Sequence, residues 1–131
     1  MITAVRKPLE EIMGFAAPYS RVLLLGCNEC VTVCYAGGRK EVGILASALS
    51  MAFLKEGKKL DIVEQTLERQ CDPEYVEEIA QTIDQYDAVF SMACGCGVQT
   101  VAGRYKDEPV CPMVNTMFRG ASERQGVWAE R

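Results

Sequence analysis

A continuous apolar run constrains the fold of this chain more than any other feature. The run Val22-Leu23-Leu24-Leu25 has polar residues only beyond its ends, and Gly26 and Cys27 follow it directly. A strand with apolar side chains at consecutive positions must be covered on both faces, which is typical of parallel sheets with helices on each side. The run therefore predicts a buried strand in an α/β domain.

Three more strand candidates follow, and helical patterns separate them. This alternation predicts a parallel sheet with right-handed crossovers. We expect a small three-layer sheet of about four strands, Rossmann-like or flavodoxin-like, in the order 2-1-3-4. The further strands are predicted over 60–67, 87–93 and 109–114, and helices are predicted from Leu9, over 39–56, from Pro73 and after Gly97.

The 131 residues suit one domain, 1–131, with a core of its own. Residues 115–131 show no clear period, so they are predicted to be irregular, and their apolar side chains suggest a surface for a partner. The net charge of −4 argues against nucleic acid. Because the N-terminus lacks the apolar core of a signal peptide and no run is long enough to span a membrane, we expect a cytoplasmic protein.

Six of the seven cysteines lie where strand-like runs end, and the chain has no histidine. The carboxyl ends of parallel strands meet at one edge of a sheet, so these thiols are expected to converge there. In a reducing compartment, such a cluster indicates metal or redox chemistry rather than disulfides. Without histidine, any metal at this edge would be held by thiolates.

Cys27, Cys30, Cys71 and Cys94 are the predicted metal ligands. Cys27 and Cys30 form a CxxC, and Cys71 and Cys94 precede predicted helix starts, where backbone N–H groups favour thiolate. Cys34 could ligate or pack, and either Cys34 or Cys96 could replace one of the four ligands. Cys111 is predicted to pack in a strand. Four thiolates suit zinc or an iron–sulfur cluster, and a chain with a real core has less need of a structural zinc. Two alternatives remain: a zinc-binding or metal-free protein with a structural or assembly role, and a metal-free redox thiol protein.

Several segments along nearly the whole chain together match a known family in the same order. They are Gly26-Cys27-Asn28-Glu29-Cys30-Val31-Thr32-Val33-Cys34, Ala36-Gly37-Gly38, Lys40-Glu41-Val42, Thr66-Leu67-Glu68-Arg69-Gln70-Cys71, Ala93-Cys94-Gly95, Gly97-Val98-Gln99, Asn115-Thr116 and Gly126-Val127-Trp128. These segments resemble the small cysteine-rich subunit of bacterial methylenetetrahydrofolate reductases. In that family, the same domain also occurs fused to the catalytic domain.

The resemblance implies an accessory subunit that is not catalytic alone. It would hold a [4Fe–4S] cluster, or alternatively zinc, and pair with a catalytic subunit that carries FAD or FMN and acts in one-carbon metabolism. An electron donor protein or module would be a further partner. Members of that family usually continue past the region of Trp128 into a second cysteine-rich segment. Two cysteines of this sequence, Cys96 and Cys111, do not match the cysteine pattern of the family.

Overall fold

The computed structural model describes residues 2–28, 36–124 and 127–130. Within these residues, strands and helices alternate through most of the chain. In chain order they are β1 (Ile2–Arg6), α1 (Leu9–Ala16), β2 (Arg21–Cys27), α2 (Arg39–Lys55), β3 (Asp61–Leu67), α3 (Pro73–Val76), β4 (Ala88–Ser91), α4 (Gly95–Arg104), β5 (Val110–Pro112), β6 (Val114–Arg124) and β7 (Val127–Glu130).

The main sheet of the described chain is parallel, with strands in the order β3-β2-β4-β5. This is the predicted 2-1-3-4 order, because β2 is the first parallel strand along the chain. Leu25 of β2 lies opposite Gln65 of β3 on one side and Ser91 of β4 on the other. The short β5, with its proline, lies at the edge, as predicted from the scarcity of N–H donors there.

Apolar clusters cover both faces of this sheet, which confirms the predicted three layers. On one face, Val22 and Leu24 are fully buried in a cluster with residues of α1 and α2. On the other face, Leu23 and Leu25 are fully buried in a cluster with residues of α3, α4 and the turns after α3. Successive β2 side chains point to opposite faces, so one run of four apolar residues supplies both clusters.

The helices largely follow their sequence signals. Asp72 caps α3, where its side chain accepts a hydrogen bond from the Glu74 N–H at 3.0 Å. The α-helix ends at Val76, earlier than the apolar pattern suggests, and 3₁₀ turns over Glu77–Ile79 and Ile83–Gln85 continue the segment. Helix α2 ends before Gly57, whose φ of 78° is a conformation that glycine adopts easily.

The C-terminal segment differs from the irregular structure predicted for residues 115–131. Within the described part, β6 and β7 occupy most of it and pair antiparallel with each other. β6 also pairs antiparallel with β1, a strand that the sequence did not indicate. The two ends of the described chain thus form a second, three-stranded sheet, and the prediction of an irregular tail was wrong.

Gly26 lets the end of β2 approach its neighbours closely. A Cβ atom at this position would lie 2.6 Å from Val42 Cγ2 and 2.9 Å from the carbonyl oxygen of Gly37. The Gly37 carbonyl also accepts a hydrogen bond from the Cys27 N–H at 3.0 Å. The start of α2 is therefore fixed against the carboxyl end of β2.

Gly26→Ala is expected to destabilise the fold by about 1–3 kcal/mol, because the added methyl group meets backbone as well as a side chain. Gly14→Ala is the matched control, since a Cβ atom at Gly14 in α1 meets nothing within 4 Å. That control should be neutral or stabilise by about 0.5–1 kcal/mol. Urea unfolding followed by circular dichroism measures both variants, and a Gly26→Ala protein as stable as the parent would contradict the close approach.

Candidate functional site

The carboxyl ends of β2 and β4 form the topological switch point of the parallel sheet. From β2 the chain first crosses to β3 on one side, and later returns to β4 on the other side. Open α/β sheets place their sites in the crevice at such a point, because the loops on either side diverge there. The predicted thiol ligands are therefore expected at this edge.

Three of the four predicted ligands lie at this edge. Cys27 is the last residue of β2, and Cys94 is the N-cap residue of α4, just after β4. Cys71 follows β3, directly before the Asp72 cap of α3. Cys30, the fourth predicted ligand, and Cys34 lie outside the described residues.

The three predicted ligands at this edge differ in exposure. Cys27 and Cys94 are only 6% and 7% exposed, and both belong to the apolar cluster on the α1 and α2 face of the sheet. Cys96, in the first turn of α4, is partly buried against the same cluster, whereas Cys71 is exposed. The edge therefore has two thiols on its inner side and one that faces solvent.

The described thiols do not form a metal centre by themselves. Across residues 2–28, 36–124 and 127–130, no three cysteine or acidic side chains are grouped closely enough to hold a metal ion. Thiols nevertheless follow the ends of three neighbouring strands, and the chain has no histidine, so thiolate is the soft ligand type that this edge offers. A complete ligand set would need Cys30 in addition.

A buried glutamine connects the two strand ends that carry Cys27 and Cys94. Gln70 is 0% exposed, and its Nε2 donates to the carbonyl oxygens of Leu25 at 2.8 Å and Gly26 at 3.0 Å. Its Oε1 accepts a hydrogen bond from Ser91 Oγ at 2.5 Å. Since Cys71 is the next residue, this amide ties the loop after β3 to both β2 and β4.

The network extends into the turn that leads to Cys94. Ser91 Oγ accepts a hydrogen bond from the Ala93 N–H at 3.3 Å. Gly97 of α4 packs closely on the same residues, because a Cβ atom there would lie 2.6 Å from Ala93 Cβ and 3.0 Å from Gln70 Cβ. The backbone on either side of the crevice is thus held by a polar side chain and a close glycine contact.

Cys111 has a different environment from the thiols at the edge. It lies in β5 opposite Phe90 and packs partly buried against an apolar cluster, as the sequence predicts. Burial raises the pKa of the Cys111 thiol, which favours the neutral form that does not ligate metals. Cys111 is therefore a suitable control for substitutions at Cys71 and Cys94.

The fold and the switch-point crevice define an α/β domain of the doubly wound, three-layer class. No family model and no curated protein matches the sequence. A solved structure, that of an extracellular ligand-binding receptor from Verminephrobacter eiseniae ef01-2, is similar with a TM-score of 0.54 and 14% sequence identity. The match covers 82% of this chain and 31% of the receptor, so it supports the α/β fold alone.

No helix in the described part of the chain is long and apolar enough to cross a membrane.

Sequence reasoning did not identify Gln70 as a structural residue. A polar residue after a strand is usually solvated, and Arg69 and Gln70 are equally polar in the sequence. The structure separates them, because Arg69 is exposed whereas Gln70 is fully buried and hydrogen-bonded to three residues. The short, uncharged side chain of glutamine next to a predicted ligand was the available signal.

Gln70→Leu is expected to destabilise the protein by about 2–4 kcal/mol, because the Ser91 hydroxyl and the Gly26 carbonyl would lose their partner while still buried. Gln81→Leu is the control, since Gln81 is exposed. It should change the free energy of unfolding by no more than about 0.5 kcal/mol. Chemical denaturation measures both, and equal effects of the two substitutions would refute the role given to the Gln70 amide.

Proposed function

We propose that this protein is an iron–sulfur accessory subunit that passes electrons to or from the flavin of a methylenetetrahydrofolate reductase catalytic subunit. One observation carries the proposal: Cys27, Cys71 and Cys94 lie at the carboxyl edge of three adjacent parallel strands. The resemblance of the cysteine-containing segments to the small subunit of these reductases indicates which reaction the protein would serve. Together they favour an electron-transfer role in the cytoplasm.

Cys27, Cys30, Cys71 and Cys94 are the residues that would hold a [4Fe–4S] cluster. Such a cluster supplies reversible one-electron transfer, with a potential set by burial and by hydrogen bonds to sulfur. The residues around it have a holding role: Gln70 fixes the loop of Cys71, and the cap position fixes Cys94 at the N-terminal end of α4. Backbone N–H groups and the dipole at a helix N-terminus favour the negative charge of thiolate ligands.

The core of the domain favours this role over that of a zinc-stapled module. Both faces of the sheet are covered by apolar clusters whose β2 residues are fully buried. Small zinc modules fold only with metal because they lack such a core, whereas this chain has one. A metal at the sheet edge would therefore serve function rather than folding.

The metal content of the anaerobically purified full chain tests the proposal first. We expect iron and acid-labile sulfide near ~4 each per chain, with a brown colour that bleaches with dithionite. Cys71→Ser and Cys94→Ser should each lower the iron content and the visible absorbance, whereas Cys111→Ser should leave both unchanged. Stoichiometric zinc without colour would instead indicate a structural subunit, and a colourless, metal-free protein would point to redox thiols.

Electron transfer in the reconstituted complex tests the relay itself. The flavin of the catalytic subunit should be reduced slowly, or not at all, by the electron donor when the complex contains Cys94→Ala. The same complex with Cys111→Ala should keep the parent rate. If Cys94→Ala removes the iron and flavin reduction still proceeds at the full rate, the relay role is wrong.

A further inference from the structure

Helix α2 has an apolar side that the domain does not use. Its inner side packs in the core through fully or nearly fully buried residues, including Leu45, Leu49 and Phe53. On its outer side, Ile44, Met51 and Leu54 are 52%, 71% and 65% exposed. No residue from 42 to 54 carries a charge, although the outer side of a surface helix is ordinarily charged or polar.

The exposed residues of α2 form one continuous stripe. Ile44 and Met51 are seven residues apart, which places them on the same side of the helix two turns apart. The short side chains of Ser47 and Ala48 lie between them, and Leu54 follows within the next turn. We call Ile44, Ser47, Ala48, Met51 and Leu54 the α2 stripe; it extends along the helix for about 15 Å.

Isolated exposed apolar residues are common, but the α2 stripe is a concentration of them. Among residues 5–28 and 36–115, the large exposed hydrophobic side chains are Val5, Ile44, Met51 and Leu54, and three of these four belong to the stripe. A contiguous apolar patch on a protein surface is typical of a contact site for another macromolecule. Methionine at its centre adapts well to a partner surface because its side chain is unbranched and flexible.

Positive charges lie at both ends of the stripe. Lys40 lies one turn before Ile44, and Lys55 lies one turn after Met51, so both project from the same side of α2. The exposed Arg39 adds to one end and the exposed Lys59 to the other. Against these cations stand Glu41 and Glu56, which leaves a positive excess at the stripe in a chain whose net charge is −4.

This charge arrangement selects against a second copy of the chain. In an antiparallel contact between two α2 stripes, Arg39 and Lys40 of one copy would meet Lys55 and Lys59 of the other. In a parallel contact, each end of one stripe would meet the same end of the stripe in the other copy. Because the cations outnumber Glu41 and Glu56 at the ends of the stripe, like charges oppose each other in both arrangements, which lowers the affinity of such a pairing. The complementary surface is apolar with carboxylates on either side, separated by roughly 20 Å to match Lys40 and Lys55.

The stripe also begins beside the cysteine-bearing edge. The Gly37 carbonyl, just before α2, accepts a hydrogen bond from the Cys27 N–H at 3.0 Å. At the same end of α2, Ile44 and Lys40 line a cavity of about 400 Å³ together with Arg6, Ala36 and Glu41. A partner bound to the stripe would therefore lie next to the edge at which electrons would enter or leave.

We infer that the α2 stripe is the docking surface for the flavin-containing catalytic subunit, whose contact surface is apolar and flanked by carboxylates. The identity of this partner rests on the proposed function, whereas the chemistry of its surface follows from the stripe. Met51 and Ile44 supply apolar contact area, and Lys40 and Lys55 orient the partner along α2.

Affinity between the full chain and the purified catalytic subunit tests this inference. Ile44→Glu and Met51→Glu should each raise the dissociation constant by at least ~10-fold, because each places a carboxylate in an apolar contact that faces acidic groups. Gln81→Glu adds the same charge at an exposed position away from α2 and should stay within ~2-fold of the parent. Lys55→Glu should weaken binding and reduce its dependence on salt concentration.

Two further measurements separate this inference from the proposed function. Circular dichroism and thermal unfolding verify that the variants are folded, and iron and sulfide content should be the same in Met51→Glu as in the parent. Parent-like affinity of both stripe variants would overturn the docking surface while leaving the cluster proposal intact. Absence of any binding by the parent chain would also overturn it, as would a homodimer in sedimentation analysis that Met51→Glu dissociates.

Discussion

The double-sided burial of β2 is the constraint on which the rest of the structure depends. Each of its four central side chains is fully buried, alternately under α1 and α2 and under the α3 and α4 layer. At about 25 cal/mol per Å² of buried apolar surface, a single such side chain contributes roughly 1.5–3 kcal/mol. Because β2 pairs with β3 and β4 at once, its position also fixes where the carboxyl edge lies.

The carboxyl edge combines apolar packing with a small, fully satisfied polar network. Buried amides and hydroxyls are costly unless paired, and Gln70 and Ser91 pair with each other and with the main chain. In the described chain no buried side-chain N or O atom lacks a hydrogen-bond partner. The hydrogen bonds are directional, so they fix the relative positions of the β2, β3 and β4 ends more specifically than apolar contacts alone would.

The sequence was sufficient for the parallel sheet and insufficient for the antiparallel one. Buried runs such as 22–25 indicate their strands locally, because both faces need apolar cover. β6 has no such run, and its pairing partner β1 is distant in the chain. Strand formation there depends on cross-strand pairing rather than on burial pattern, and β propensity is strongly context-dependent. The same limit explains why residues 2–6 were not recognised as a strand.

The site shows a similar division between what local pattern reveals and what only packing reveals. The placement of Cys27 and Cys94 followed from counting residues past buried strands, since strand ends of a parallel sheet share one edge. The burial of Gln70 depends on how the loop after β3 packs against the ends of β2 and β4. The spacing of residues along the sequence does not indicate this packing. The apolar outer side of α2 was likewise not predicted from the sequence. Helical periodicity identifies the residues that face the core and does not constrain those on the opposite side. Met51 is 71% exposed and so contributes little to the core, and the inferred docking surface accounts for an apolar side chain at this position.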